Sequence, residues 1–195
     1  MKKFIALTMS ILMLVLSLSL SSCESVPYKK TDSETNFVLI DVKDYGKIVV
    51  ELHPDVAPIT VENFKKLVSE EFYDGLIFHR VIEGFMIQGG GYTEIFKQKD
   101  CPSIKGEFEA NGVENPLKHT RGVISMARTN VMDSASSQFF IMHKDAPYLD
   151  GQYAAFGEVV WGIETVDAIA SVITDEYDMP KENIVITSIR FAEAK

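Results

Sequence analysis

The chain has 195 residues, of which 46% are hydrophobic and 24% charged. That balance is ordinary for a folded globular domain and excludes wholesale disorder and collagen-like repetition. Acidic residues number 28 against 19 basic ones, a formal net charge of −9, so the chain lacks the cationic excess that nucleic-acid binding requires. Two cysteines cannot frame a disulfide scaffold, and no repeat occurs at solenoid spacing. One compact domain with an attached segment is expected.

The first 22 residues differ from the rest. Lys2 and Lys3 precede an apolar run, Phe4 to Leu20, interrupted by Thr8, Ser10, Ser17 and Ser19. A membrane-spanning helix takes about 20 mainly apolar residues. This run is shorter, diluted by serine and closed by small residues, as a secretory signal is. Its end, Leu20-Ser21-Ser22-Cys23, resembles the bacterial lipobox. The resemblance implies cleavage before Cys23 and lipidation of its thiol, which would anchor the protein on the extracytoplasmic side of a membrane in the bacterial cell envelope. Loss of residues 1–22 leaves 28 acids against 17 bases. An anionic bilayer repels such a body, so the lipid must hold it there. Residues 23–35 are then the lipidated cysteine and a flexible polar tether, which reaches roughly 20 Å when Asn36 is included, and residues 36–195 are the folded domain. With Cys23 lipidated, Cys101 has no intramolecular partner and reads as a shielded spectator. Lys99 and Lys105 would activate its thiol only by pointing at it.

In chain order, Phe37 to Lys43 and Lys47 to His53 are rich in β-branched and apolar residues. The turn Asp44-Tyr45-Gly46 joins them, which predicts a hairpin. Pro54 and Pro58 bracket a loop. Val61, Phe64, Leu67 and Val68 fall at helical spacing, with Thr60 available as N-cap, and predict a helix from about Val61 to Glu70. Strand-like runs follow at Ile77 to Ile82 and Phe85 to Gln88, and residues 89–118 read as loop, punctuated by glycines, Pro102 and Pro116. Strand patterns resume at Gly122 to Ala127, Gln138 to Met142 and Ala154 to Val160. Ile163 to Ser171 suits a second short helix, and Asn183 to Phe191 closes the chain as a strand. Many short strands with two helices predict an antiparallel barrel or sandwich.

The segment Phe78-His79-Arg80-Val81-Ile82-Glu83-Gly84-Phe85-Met86-Ile87-Gln88-Gly89-Gly90 resembles the signature of the cyclophilin family of peptidyl-prolyl cis-trans isomerases. Leu117-Lys118-His119-Thr120, Gly122-Val123-Ile124-Ser125-Met126-Ala127, Ser137-Gln138-Phe139-Phe140-Ile141, Leu149-Asp150-Gly151 and Phe156-Gly157 fit the same family in the same order. The resemblance spans residues 36–195. It implies a mainly β fold, a closed eight-stranded antiparallel barrel capped by two helices, acting on proline-containing polypeptides as a monomer. In an exported protein it implies acceleration of proline-limited folding.

Rotation about an X-Pro bond faces a barrier of about 20 kcal/mol because amide resonance must be broken. No bond is made or cut, so no metal or other cofactor is expected. The catalyst need only hold the twisted amide better than the planar forms. A fixed cation beside the prolyl carbonyl and nitrogen does this, provided that an apolar slot holds the ring. By resemblance, Arg80 is that catalytic cation, and its planar, always charged fork suits the task better than lysine. Gln88 is expected to bond the substrate backbone and orient Arg80. Phe85, Met86, Phe140 and Leu149 match the family's proline pocket. Gln138 matches a further polar position, and Ala127 with the Arg128 backbone matches the rim that pairs with an extended peptide. A binding module for proline would need only the slot, so Arg80 together with Gln88 favours the enzyme.

Three positions depart from many relatives. Tyr148 replaces a tryptophan that donates to cyclosporin in many eukaryotic members, so tight cyclosporin binding is not expected. Tyr153 replaces a pocket histidine and keeps an aromatic wall. Arg128 replaces asparagine, and Ser125-Met126-Ala127-Arg128 resembles the bacterial branch. Gly89-Gly90-Gly91 lacks the lysine of a phosphate loop. His53, His79, His119 and His143 are too scattered for a metal site.

Overall fold

The computed structural model describes residues 26–195. Its strands are β1 (Tyr28–Lys30), β2 (Phe37–Val42), β3 (Gly46–Leu52), β4 (Leu76–Ile82), β5 (Met86–Thr93), β6 (Val123–Met126), β7 (Phe139–Met142), β8 (Ala155–Trp161) and β9 (Ile184–Ala194). The helices are α1 (Pro58–Ser69) and α2 (Ile163–Ala170). All strand pairings are antiparallel, in the order β9-β2-β3-β8-β6-β7-β5-β4, and β4 returns to β9. Eight strands thus close a barrel.

β1 is a ninth strand that lies outside the closed ring, on the edge of β9, where Tyr28 is opposite Ala194. Within the segment expected as tether, Tyr28–Lys30 is therefore a strand. The Tyr28 ring packs on Phe37 at 5.4 Å, and both join Trp161 in an apolar cluster outside the barrel. Three residues without apolar alternation carry no strand signal of their own; the exposed end of β9 supplies the partner.

Period-two alternation sends Val38, Ile40, Val42, Ile48, Val50 and Leu52 inward to one core. The outward side chains of β5 and β7, Met86, Phe140 and Met142, build a second apolar cluster beneath the 143–153 loop. That is why Phe139 to Met142 reads as a continuous apolar run, with Phe139 and Ile141 inward and Phe140 and Met142 outward.

Helix α1 starts at Pro58, ahead of the expected Val61, and Thr60 is not its cap. Proline at the first position lacks the N–H that would otherwise be orphaned. The carboxylate of buried Glu107 accepts from the Ile59 N–H (3.0 Å), the Thr60 N–H (2.8 Å) and the Thr60 hydroxyl (2.7 Å). A distant acid therefore caps the helix, on the end whose dipole favours negative charge. Helix α2 follows the expected span to within one residue.

Strand β5 runs on through Gly89-Gly90-Gly91 into the expected loop. The glycines permit close packing. A Cβ on Gly90, at φ +82°, would meet the Ser137 carbonyl at 2.9 Å, and one on Gly91 would collide with the Gln138 side chain.

Candidate active site

Register across four strands places the reactive candidates in one row. Arg80 on β4 is opposite Gln88 on β5, Gln88 is opposite Phe140 on β7, and Phe140 is opposite Ser125 on β6. Directly opposed residues share a sheet face, and this one is the outer face of the barrel. Nine of the expected residues, Arg80, Phe85, Met86, Gln88, Ala127, Arg128, Phe140, Leu149 and Tyr153, line one pocket of about 190 Å³ there. Met86, Phe140 and Leu149 are nearly sealed from solvent. The pocket is smaller than the roughly 300–1,000 Å³ of most small-molecule sites, and it offers one small apolar ring a slot with a guanidinium at its border.

The two other expected residues lie beside the pocket. Gln138 accepts from Gln88 Nε2 at 3.0 Å through its Oε1, and its backbone carbonyl accepts the Ala127 N–H at 2.9 Å. Tyr148 is 69% exposed and stacks on the outside of Phe85, centroids 5.9 Å apart. Its ring widens the rim and does not line the slot.

The Arg128 side chain is folded back. Its guanidinium lies 4.7 Å from the Tyr153 ring and 4.9 Å from the Phe108 ring, and donates to the Gln152 and Thr129 carbonyls. Cation–π contact on two rings stiffens the Tyr153 wall.

The expected contact from Gln88 to Arg80 is absent from the side-chain hydrogen bonds of the described residues. Gln88 turns to Gln138, and Arg80 donates from Nε (3.3 Å) and Nη2 (3.2 Å) to Oδ2 of Asp178. Asp178 lies 98 positions away in sequence, and no local pattern marks it. His79 sits beside Arg80 with its ring against Tyr92. Burial pushes its pKa down to about 4, so at neutral pH it adds no charge next to the cation.

A buried relay supports the pocket from behind. His119, wholly buried, is 3.1 Å from Asp150 through Nδ1 and 3.1 Å from the Ser125 hydroxyl through Nε2. The carboxylate can only accept, so in the neutral ring Nδ1 carries the proton and Nε2 accepts from Ser125. The imidazole stacks on Phe140 at 6.0 Å and meets Tyr153 edge-on at 6.4 Å. Serine, histidine and aspartate stand in a hydrolase-like line, yet Ser125 and His119 are sealed from solvent, so the line has no route to a substrate. The blocks around His119, Ser125 and Asp150 were legible in the sequence; their mutual contact was not.

A broader depression of about 960 Å³ lies near the turn between β4 and β5, beside Arg121, His143 and Asp167. Two of its basic side chains already meet the Asp167 carboxylate. Arg121 Nη2 holds Asp167 at 2.9 Å, and His143 Nε2 is 3.2 Å from the same carboxylate. The other ring nitrogen of His143 accepts the Gly84 N–H at 2.9 Å, and the His143 N–H donates to the Phe85 carbonyl at 2.9 Å. The cluster therefore braces Phe85, one wall of the slot. Lys99 donates to the Phe72 carbonyl at 2.6 Å and lies over the Phe72 ring, 4.2 Å from its centroid.

The family model described as cyclophilin type peptidyl-prolyl cis-trans isomerase/CLD matches residues 37–191. A peptidyl-prolyl cis-trans isomerase of Acinetobacter baylyi is 43% identical over 163 residues, covering 78% of this chain and 84% of that protein. Peptidyl-prolyl cis-trans isomerase B of Escherichia coli is 43% identical over 163 residues, covering 77% and 96%. Among solved structures, a Cryptosporidium parvum cyclophilin type peptidyl-prolyl cis-trans isomerase superposes with a TM-score of 0.71 at 29% identity, covering 82% of this chain and 99% of that one. The apolar slot, the bordering guanidinium, the closed barrel and these relatives agree, and the chain belongs to the cyclophilin-type peptidyl-prolyl cis-trans isomerase family, with that family's activity.

Proposed function

We propose that this chain is a lipid-anchored isomerase of the bacterial envelope, monomeric, that speeds proline-limited folding of exported proteins. The observation that carries the location is Leu20-Ser21-Ser22-Cys23, placed directly ahead of the domain. Cys23 lies outside the described residues. β1 begins at Tyr28, so the intervening chain, fully extended, spans at most about 18 Å. A lipid on Cys23 would hold the barrel against the bilayer surface.

At the site, Arg80 supplies the cation for the twisted amide, while Phe85, Met86, Phe140 and Leu149 hold the prolyl ring. Gln88 and Gln138, bonded to each other, present polar groups to the substrate backbone. The rim of Ala127, Arg128, Tyr148 and Tyr153 receives the flanking peptide. Supporting this reading is the single pocket that gathers the cation and the apolar slot from strands β4, β5 and β7 and from three loops.

Two experiments test it. Cells expressing the chain are fed an alkyne fatty acid; label on the wild type and none on Cys23→Ser is the expected result, and an unlabelled wild type refutes the anchor. Isomerisation of an Ala-Pro tetrapeptide at low temperature is compared with Arg80→Ala, which should run near the uncatalysed rate. Wild-type rates from that variant would remove Arg80 from the mechanism.

A further inference from the structure

We propose that Asp178 is a positioning residue for Arg80: the loop between α2 and β9 delivers a carboxylate that holds the guanidinium in place before a prolyl peptide arrives. The inference rests on Arg80 being the catalytic cation. Arginine is long and flexible, and a cation that must grip a twisted amide works only if its direction is set in advance. Among the described residues the side-chain hydrogen bonds of Arg80 go to Asp178 alone, from Nε and Nη2 to a single oxygen. The Nε–Nη2 edge is thereby held, and Nη1 is left for a substrate carbonyl. Gln88, the cross-strand neighbour expected to do the orienting, is engaged by Gln138.

The loop is built to aim this carboxylate. Asp178 has φ +63°, the left-handed region that aspartate tolerates better than most residues. Its carbonyl accepts the Val81 N–H at 2.8 Å, which ties it to the strand position after Arg80. Asp175 folds the turn beneath it, with Oδ1 accepting the Tyr177 and Met179 N–H groups at 2.9 Å each. The Asp175 N–H donates to the Met179 carbonyl at 2.9 Å, and the Asp178 N–H to the Asp175 carbonyl at 3.2 Å. Backbone and side chain of one residue thus grip adjacent positions of β4.

The pair is a poor device for stability. Its side chains are 42% and 41% exposed and its shortest contact is 3.2 Å, so water screens it and its contribution to folding is small. Loss of catalysis without loss of fold is therefore the signature that separates positioning from a structural role.

The test uses the full chain with an Ala-Pro tetrapeptide as substrate, comparing wild type, Asp178→Ala, Asp178→Asn, Arg80→Ala and the Arg80→Ala/Asp178→Ala double variant. Asp178→Ala should lower kcat roughly ten- to hundredfold, leave KM within about twofold, and move Tm by less than about 4 °C. Asp178→Asn, which keeps an acceptor oxygen, should recover part of the rate. The double variant should be no slower than Arg80→Ala, because Asp178 acts only through that side chain. The Arg80 Nε–H resonance should be dispersed in the wild type and averaged in Asp178→Ala. A wild-type or faster Asp178→Ala, a further loss in the double variant, or an Nε–H resonance already averaged in the wild type would each overturn the proposal. Full activity of Arg80→Ala would instead remove the reading beneath it, so the two failures are told apart.

Discussion

Replacing His119 by alanine should weaken both the fold and the pocket. The imidazole is wholly buried and makes two side-chain contacts of 3.1 Å, one to a carboxylate and one to the Ser125 hydroxyl. Asp150 keeps the His119 backbone N–H at 2.8 Å in the variant, so it retains a donor. Ser125 loses its partner while fully buried. A hydrogen bond to a charged group contributes about 1.5–3 kcal/mol, and an orphaned buried hydroxyl costs about 1–3 kcal/mol. Together they come to about 4 kcal/mol before the cavity under Phe140 is considered. At roughly 2–4 °C per kcal/mol for a domain of this size, Tm should fall by roughly 8–16 °C. Phe140 and Tyr153 lose the ring they pack against, so KM for a proline peptide should rise as well. The pH dependence is a second readout. Burial lowers the His119 pKa below its ordinary value, although Asp150 opposes the shift. The unfolded chain therefore binds the proton first, near pH 6.5. The stabilisation is complete above that pH and is lost as pH falls through the folded-state value. Thermal unfolding followed by circular dichroism at pH 7.5 and pH 5 should show a steeper loss in wild type than in His119→Ala. A Tm change under 4 °C with an unchanged pH slope would refute the idea that this buried line supports the site.

Other substitutions probe the scaffold. Glu107→Ala removes all three acceptor contacts at the start of α1 and leaves the N–H and hydroxyl of buried Thr60 unpaired, so chemical denaturation should show a loss of about 3–5 kcal/mol. Glu107→Gln, which keeps one acceptor oxygen, should lose less. Gly90→Ala must adopt φ +82° and place a methyl 2.9 Å from the Ser137 carbonyl. The left-handed backbone alone costs about 1–2 kcal/mol, and displacement of Ser137-Gln138-Phe139 should lower kcat/KM in the tetrapeptide assay. Tyr148→Ala removes an exposed ring from the rim and should leave Tm within about 1 °C while raising KM for peptides with bulky flanking residues.

The site joins two kinds of construction. The apolar slot is an outward-facing second core, made where β5 and β7 bury both faces. The polar edge depends on a few side-chain hydrogen bonds between segments distant in sequence, with Gln88 on Gln138 and Arg80 on Asp178. An apolar wall tolerates small shifts because burial is non-directional. The guanidinium does not, because its effect depends on distance and angle to the amide.

The sequence by itself determined the elements whose signal is local. Alternation set the hairpin of β2 and β3, helical spacing located α1 and α2, and the motif blocks placed Arg80, Phe85, Met86, Phe140 and Leu149 at one pocket. Each of these rests on a period of two or of 3.6 residues, or on an ordered run of neighbours, and such patterns are written along the chain. Only the tertiary structure decided the features that depend on a partner far away. Tyr28–Lys30 becomes a strand because β9 offers an edge, and α1 begins at Pro58 because Glu107 reaches its first amides. Gly89-Gly90-Gly91 stays in β5 because Phe78, Ser137 and Gln138 leave no room for a Cβ. Arg80 is held by Asp178, 98 positions along the chain, and not by its neighbour Gln88. A contact of that kind has no period to betray it, since it exists only once the barrel has closed and brought the loop before β9 against β4.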